Sequence, residues 1–190
     1  MLQIYTGDGK GKTTAALGLA LRALGAGKSV YVMQFMKSRV YSEHNILPQF
    51  APRLTLETTG KPFFVAEEGM LSEEQRTSLG DVVVFGKGAP PKDYVALVET
   101  GLANAVERGK TFDVVILDEL NVALRFGLLN DELAKEQLRR LQENNPAAEI
   151  ICTGRGAPQW LIDAADLVTE MREVKHYYAK GIAARLGIEN

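Results

Sequence analysis

Gly7-Asp8-Gly9-Lys10-Gly11-Lys12-Thr13-Thr14 brings small, cationic and hydroxyl-bearing residues together at spacings suited to gripping a polyphosphate. The three glycines let the backbone approach an anion and take positive φ, so that successive N–H groups converge on phosphate oxygens. Lys12 adds a point charge, Thr13 offers a hydroxyl to a bridging Mg²⁺ or Mn²⁺, and the helix that must open here presents its unpaired N–H groups. The stretch matches the Walker A pattern G-x-x-x-x-G-K-[ST] at all but its first glycine, where Thr6 stands. A glycine-rich turn with no ligand is the plainer alternative, but Gly-Lys-Thr following a strand and opening a helix favours the phosphate loop.

A second set of chemistry-bearing residues lies at Asp118-Glu119, closing the apolar run Val114-Val115-Ile116-Leu117. This reads as a Walker B strand, expected to neighbour the phosphate loop and to end beside the metal, with Asp118 and Glu119 as metal ligands beside Thr13. The competing reading is a solvated loop or helix start. Arg155, between Gly154 and Gly156 after the apolar Ile150-Ile151-Cys152, stands where open parallel sheets place ligands. Arg22 interrupts an apolar helix and reads either as a snorkelling surface residue or as a site residue. Phe63 and Phe64, after Gly60 and Pro62, form either an apolar wall over a flat ligand or an anchor of their loop on the core.

The elements that must hold these residues alternate. Strands are expected over 2–6, 29–36, 54–57, 82–85, 112–119, 149–153 and 167–171, and helices over 13–24, 42–50, 93–108, 131–143 and 158–165. The first helix, apolar nearly all round, is expected to lie between the sheet and another layer. Residues 37–92 are the least legible, with 58–64 read as loop. Alternating strands and helices with right-handed crossovers give an α/β three-layer sandwich around a mostly parallel sheet, in a P-loop NTPase (RecA-like) fold. At 190 residues the chain is expected to be a single domain, 1–190.

Composition narrows the partners. Twenty-two Lys and Arg against 24 Asp and Glu give a net charge of −2, which argues against nucleic acid. No apolar run approaches the ~20 residues of a membrane span, and no signal peptide is evident, so a cytoplasmic protein is expected. Cys152 is the one cysteine and is read as a small core hydrophobe; with two histidines, a multi-Cys or His-rich metal centre is disfavoured.

Several segments occur together in a characteristic order: Thr6-Gly-Asp-Gly-Lys-Gly-Lys-Thr-Thr-Ala-Ala-Leu-Gly18, Gln34-Phe-Met-Lys37, Ile116-Leu-Asp-Glu-Leu120, Thr153-Gly-Arg-Gly156, Ala165 to His176, and the closing Gly187-Ile-Glu189. As a set they resemble the P-loop type of corrinoid adenosyltransferase, a family in which Thr6 at the first Walker position is also similar. The resemblance implies transfer of the 5′-deoxyadenosyl group of ATP to the Co(I) of a corrinoid, with release of triphosphate. The nucleophile then belongs to the corrinoid substrate, consistent with the absence of an evident protein nucleophile.

By the same resemblance, Gly7, Asp8, Gly9, Lys10, Gly11, Lys12, Thr13 and Thr14 bind ATP, with Arg22 and Arg155 as further contacts. Lys12, Thr13 and Glu119 are catalytic; Thr13, Glu119 and Asp118 hold the metal. Phe63 and Phe64 meet the corrinoid and displace its lower axial ligand, although they do not reproduce the Phe and Trp pattern of well-known members. A reduced flavoprotein donates the electron, and a homodimer is implied. Cover for the corrin is expected from residues 37–92. The alternatives are a P-loop small-molecule kinase, recognised by ADP formation, and a nucleotide-binding switch with no covalent product.

Overall fold

The computed structural model describes residues 1–38, 41–71, 73, 76–77 and 81–189. Six strands form one sheet: β1 (Leu2–Thr6), β2 (Val30–Phe35), β3 (Leu54–Thr59), β6 (Val114–Asp118), β7 (Glu149–Thr153) and β8 (Leu167–Glu170). They lie in the order β3-β2-β6-β7-β1-β8, every neighbouring pair parallel. β4 (Phe64–Glu67) and β5 (Val82–Phe85) make a separate parallel pair.

Near-continuous apolar runs in β2, β6 and β7 suit strands buried on both faces. Alternate residues serve opposite cores. Val30 and Val32 of β2, Val114 and Ile116 of β6, and Ile151 of β7 pack with Ala16, Ala20, Ala23 and Leu24 of α1 (Lys12–Gly25). Tyr31, Met33, Phe35, Val115, Leu117, Ile150 and Cys152 face the other way, against α3 (Lys92–Gly109), α4 (Leu120–Arg125), α5 (Asp131–Asn144) and α6 (Gln159–Ala164). A short helix α2 (Glu43–Ile46) runs into a 3₁₀ turn, Leu47–Phe50, ahead of β3. This is the expected three-layer α/β sandwich, with Cys152 wholly inside it and its thiol pushed up by burial.

β7 runs between β6 and β1, and the segments that follow these two strands meet across it, Thr13 reaching Asp118 at 2.8 Å. Two expectations are corrected. α1 is an outer layer, since only its alanine stripe with Leu24 is buried as an apolar face, and Leu21 is 52% exposed. Of the loop expected over 58–64, Thr58 and Thr59 belong to β3 and Phe64 opens β4; a four-residue strand has too few alternations to announce itself. Helix α4 also went unread, because its six residues are too short for a helical period.

Candidate active site

The phosphate loop leaves the C-terminal end of β1 and is pinned by the segment after β8. Gly9 N–H donates to Met171 O at 2.7 Å, and a Cβ on Gly9 would lie 2.7 Å from the Arg172 carbonyl, so no side chain fits there. Gly7 and Gly11 take φ of 95° and 117°, a region open to glycine. Thr6 fits at the first Walker position because it is still strand residue, its hydroxyl accepting the Ala157 N–H at 3.3 Å. Lys12 lies over the loop, Nζ donating to Gly7 O at 2.7 Å and Gly9 O at 2.6 Å. Burial and the Arg155 charge push this ammonium below the ordinary lysine range.

Asp118 ends β6 almost wholly buried, at 1% exposure, inside a complete set of donors. Oδ1 accepts from Thr13 Oγ1 at 2.8 Å and Thr153 Oγ1 at 2.6 Å; Oδ2 accepts from Lys37 Nζ at 2.7 Å and Gln34 Nε2 at 3.0 Å. Burial opposes its ionisation, but the Lys37 charge and the hydrogen bonds from Lys37, Thr153 and Thr13 outweigh it and hold the carboxyl below its ordinary value. Glu119 follows with φ 65°, its N–H donating to Thr153 Oγ1 at 3.1 Å, and its side chain lines the cavity. Burial and the neighbouring Asp118 charge push the Glu119 carboxyl up, so it gains from any cation that arrives.

These groups open into one cavity of about 1150 Å³. Asp8 through Thr14 form one wall with Glu119 and the exposed Arg155; Phe64, Val65, Ala66, Leu71 and Phe126 form an apolar one. The two sequence-predicted phenylalanines part company. Phe64 is 45% exposed on the cavity, whereas Phe63 packs on the core, its ring 6.0 Å from that of Tyr94. Arg22 is exposed late in α1 and lies outside the cavity lining.

Sequence reasoning missed Lys37, Tyr41, Arg125 and the C-terminal Ile188 and Glu189 as cavity residues. Lys37 was within reach: it follows a parallel strand at its C-terminal edge, the position that singled out Arg155. Lys10 Nζ donates to Ile188 O at 2.9 Å, bringing the end of the chain to the loop, a long-range contact with no local signature.

A parallel sheet in this strand order, a glycine-rich loop with lysine and threonine opening α1, and a buried acid within reach of that threonine define a P-loop nucleotide-binding protein. Among families of that class, the chain matches ATP:corrinoid adenosyltransferase BtuR/CobO/CobP over residues 1–190 and belongs to it. It is 33% identical to the corrinoid adenosyltransferase CobA of Salmonella typhimurium over 187 residues, 98% of this chain and 83% of that protein. It is 34% identical over 188 residues to a corrinoid adenosyltransferase of Escherichia coli, again 98% and 83%, and 33% identical over 190 to one of Pseudomonas aeruginosa, 100% and 83%. Its activity is thus ATP:corrinoid adenosyl transfer.

Proposed function

We propose that the chain performs this transfer in the cavity of about 1150 Å³, with the triphosphate of ATP in the loop Gly7–Thr14 and the corrinoid against the apolar wall that includes Phe64. The observation that carries this reading is the cavity itself. Its volume of about 1150 Å³ exceeds the roughly 300–1,000 Å³ of a site for one small molecule, and it is polyphosphate-suited at one end and apolar at the other.

In that arrangement the Co(I) lone pair of the substrate attacks C5′ of ATP. The cobalt–carbon bond forms as the C5′–O bond breaks, and its electron pair leaves on the triphosphate, cobalt passing from Co(I) to Co(III). Lys12 and the loop N–H groups receive the charge that builds on the departing oxygen. Arg155 adds positive charge at the same wall, and Arg22 reaches the nucleotide only from outside the cavity lining. No protein base is required.

The oxygen donors Thr13 Oγ1, Glu119 and Asp118 fit a hard divalent cation such as Mg²⁺ or Mn²⁺, which keeps most of its ligands as water and phosphate. Since Asp118 is taken up by four donors, Thr13 and Glu119 are the direct ligands and Asp118 acts behind them. When bound, the cation neutralises triphosphate charge. A reduced flavoprotein supplies the electron that makes Co(I), the chain works as one domain and as a homodimer, and the setting is the cytoplasm; no described helix is long and apolar enough to cross a membrane.

The test is to mix protein, ATP, Mg²⁺ and chemically reduced cob(I)alamin and to follow alkylcobalt absorbance together with phosphate products. One inorganic triphosphate per cobalt–carbon bond is expected. ADP with a phosphorylated acceptor would replace this reading by the kinase.

A further inference from the structure

The buried network behind the phosphate loop contains a lysine to which the reaction above gives no task. We propose that Lys37 is a positioning residue for the metal side of the site: its ammonium fixes the Asp118 carboxylate, and Asp118 in turn aims the Thr13 hydroxyl at the cavity. The proposal rests on the reading of Thr13 as a metal ligand.

The hydrogen bonds divide cleanly between the two carboxylate oxygens. Lys37 Nζ and Gln34 Nε2 hold Oδ2 at 2.7 and 3.0 Å, which leaves Oδ1 to accept from Thr13 and Thr153. A hydroxyl has one proton and two lone pairs, so Thr13 Oγ1, by donating to Oδ1, keeps its lone pairs for a cation. A carboxylate at 1% exposure with no cationic partner is costly and would rearrange or draw in water, losing that aim.

The backbone is shaped to deliver this lysine. Met36 takes φ 59° and Glu119 φ 65°, the two non-glycine residues with positive φ among those described, and they follow the paired strands β2 and β6. Such strain persists where surrounding structure enforces it, and it gathers at functional sites. Gly60, after β3, packs so closely on the Lys37 carbonyl that a Cβ would overlap it. The head group is then held from its far side by the Tyr41 ring, 5.0 Å from Nζ, and Glu43 at 3.8 Å, while Gln34 Oε1 lies 2.6 Å from His44 Nε2. Two strand ends and α2 thus converge on one ammonium.

The test compares wild type, Lys37→Met, Lys37→Arg, Asp118→Asn and the double variant Lys37→Met/Asp118→Asn by electron paramagnetic resonance titration of Mn²⁺ in the presence of ATP, with thermal unfolding as the check on folding. Lys37→Met is expected to weaken Mn²⁺ binding by about 10–100-fold, the range for groups that orient a metal ligand, with Lys37→Arg recovering most of it. The double variant is expected to bind Mn²⁺ as Asp118→Asn does, because Lys37 acts through Asp118. Mn²⁺ binding by Lys37→Met equal to wild type overturns the proposal. So does a double variant much weaker than Asp118→Asn, a comparison that stands even if Lys37→Met alone does not fold. Wild-type protein unable to bind Mn²⁺ with ATP would instead defeat the underlying reading of the phosphate site.

Discussion

Thr13, in the first turn of α1, and Asp118, the last residue of β6, are 105 positions apart and joined by a 2.8 Å hydrogen bond from hydroxyl to carboxylate. Thr153, at the end of β7 between β6 and β1, donates to the same oxygen, so the intervening strand links the two loops. Replacing Thr13 by Val keeps the shape and removes the hydroxyl. Mn²⁺ affinity in the presence of ATP is expected to fall by at least about tenfold with little change in unfolding temperature; undiminished affinity would remove Thr13 from the metal site.

Lys12 donates to carbonyls of its own loop, Gly7 O and Gly9 O, and is 8% exposed at the cavity. Lys12→Ala should therefore leave the fold intact, by circular dichroism and unfolding, while lowering kcat by about 10²–10³-fold or more, the scale on which a charge-stabilising donor acts. Substantial turnover by the folded variant would take the loop out of the chemistry.

The two adjacent phenylalanines should separate in assays. Phe64→Ala removes a cavity-facing ring, so reduction-coupled adenosylation of cob(II)alamin is expected to suffer far more than transfer to chemically supplied Co(I), at little cost in stability. Phe63→Ala removes a ring packed against Tyr94 and should cost roughly 2–4 kcal/mol, toward the lower end for Phe→Ala because the ring is only partly buried. Equal losses from Phe64→Ala in both assays would give it a packing role only.

Glu119 supplies a pH test on the protein without nucleotide. Its carboxyl is raised in the folded state by burial and by Asp118. Below the ordinary glutamate pKa both folded and unfolded forms carry the proton and nothing is lost; between the ordinary and the raised value the unfolded chain ionises freely while the folded one resists. Stability therefore falls as pH rises through that window. Glu119→Gln is expected to be more stable than wild type at neutral pH, by about 2–4 °C for each kcal/mol relieved, with the difference vanishing in acid. A difference that grows toward acid pH would contradict the shift.

Much of the candidate site was legible because it is local. Gly7 to Thr14 is a continuous stretch whose residue types each have a physical task, and the apolar strands β6 and β7 announce the acids and the arginine that follow them. What was not legible depends on distance or on brevity. Nothing near Lys37 says that Asp118 is its partner, and nothing near Ile188 points to Lys10. Phe63 and Phe64 divided between core and cavity at the point where the loop passes into β4, a boundary that went unread because the strand is only four residues long. Strand order was not legible either: sequence order does not fix sheet order, and β7 enters between β6 and β1.

The most direct test of one cavity for both substrates uses two paramagnets. Wild-type protein is loaded with ATP and cob(II)alamin, and the Co(II) resonance is recorded with Mg²⁺ and then with Mn²⁺ at the Thr13 and Glu119 site. Dipolar broadening of the Co(II) signal by Mn²⁺ is expected, since both ions then lie in the same cavity. Identical Co(II) spectra with the two metals, under conditions where both ligands are shown to be bound, would place the corrinoid elsewhere and contradict the shared site.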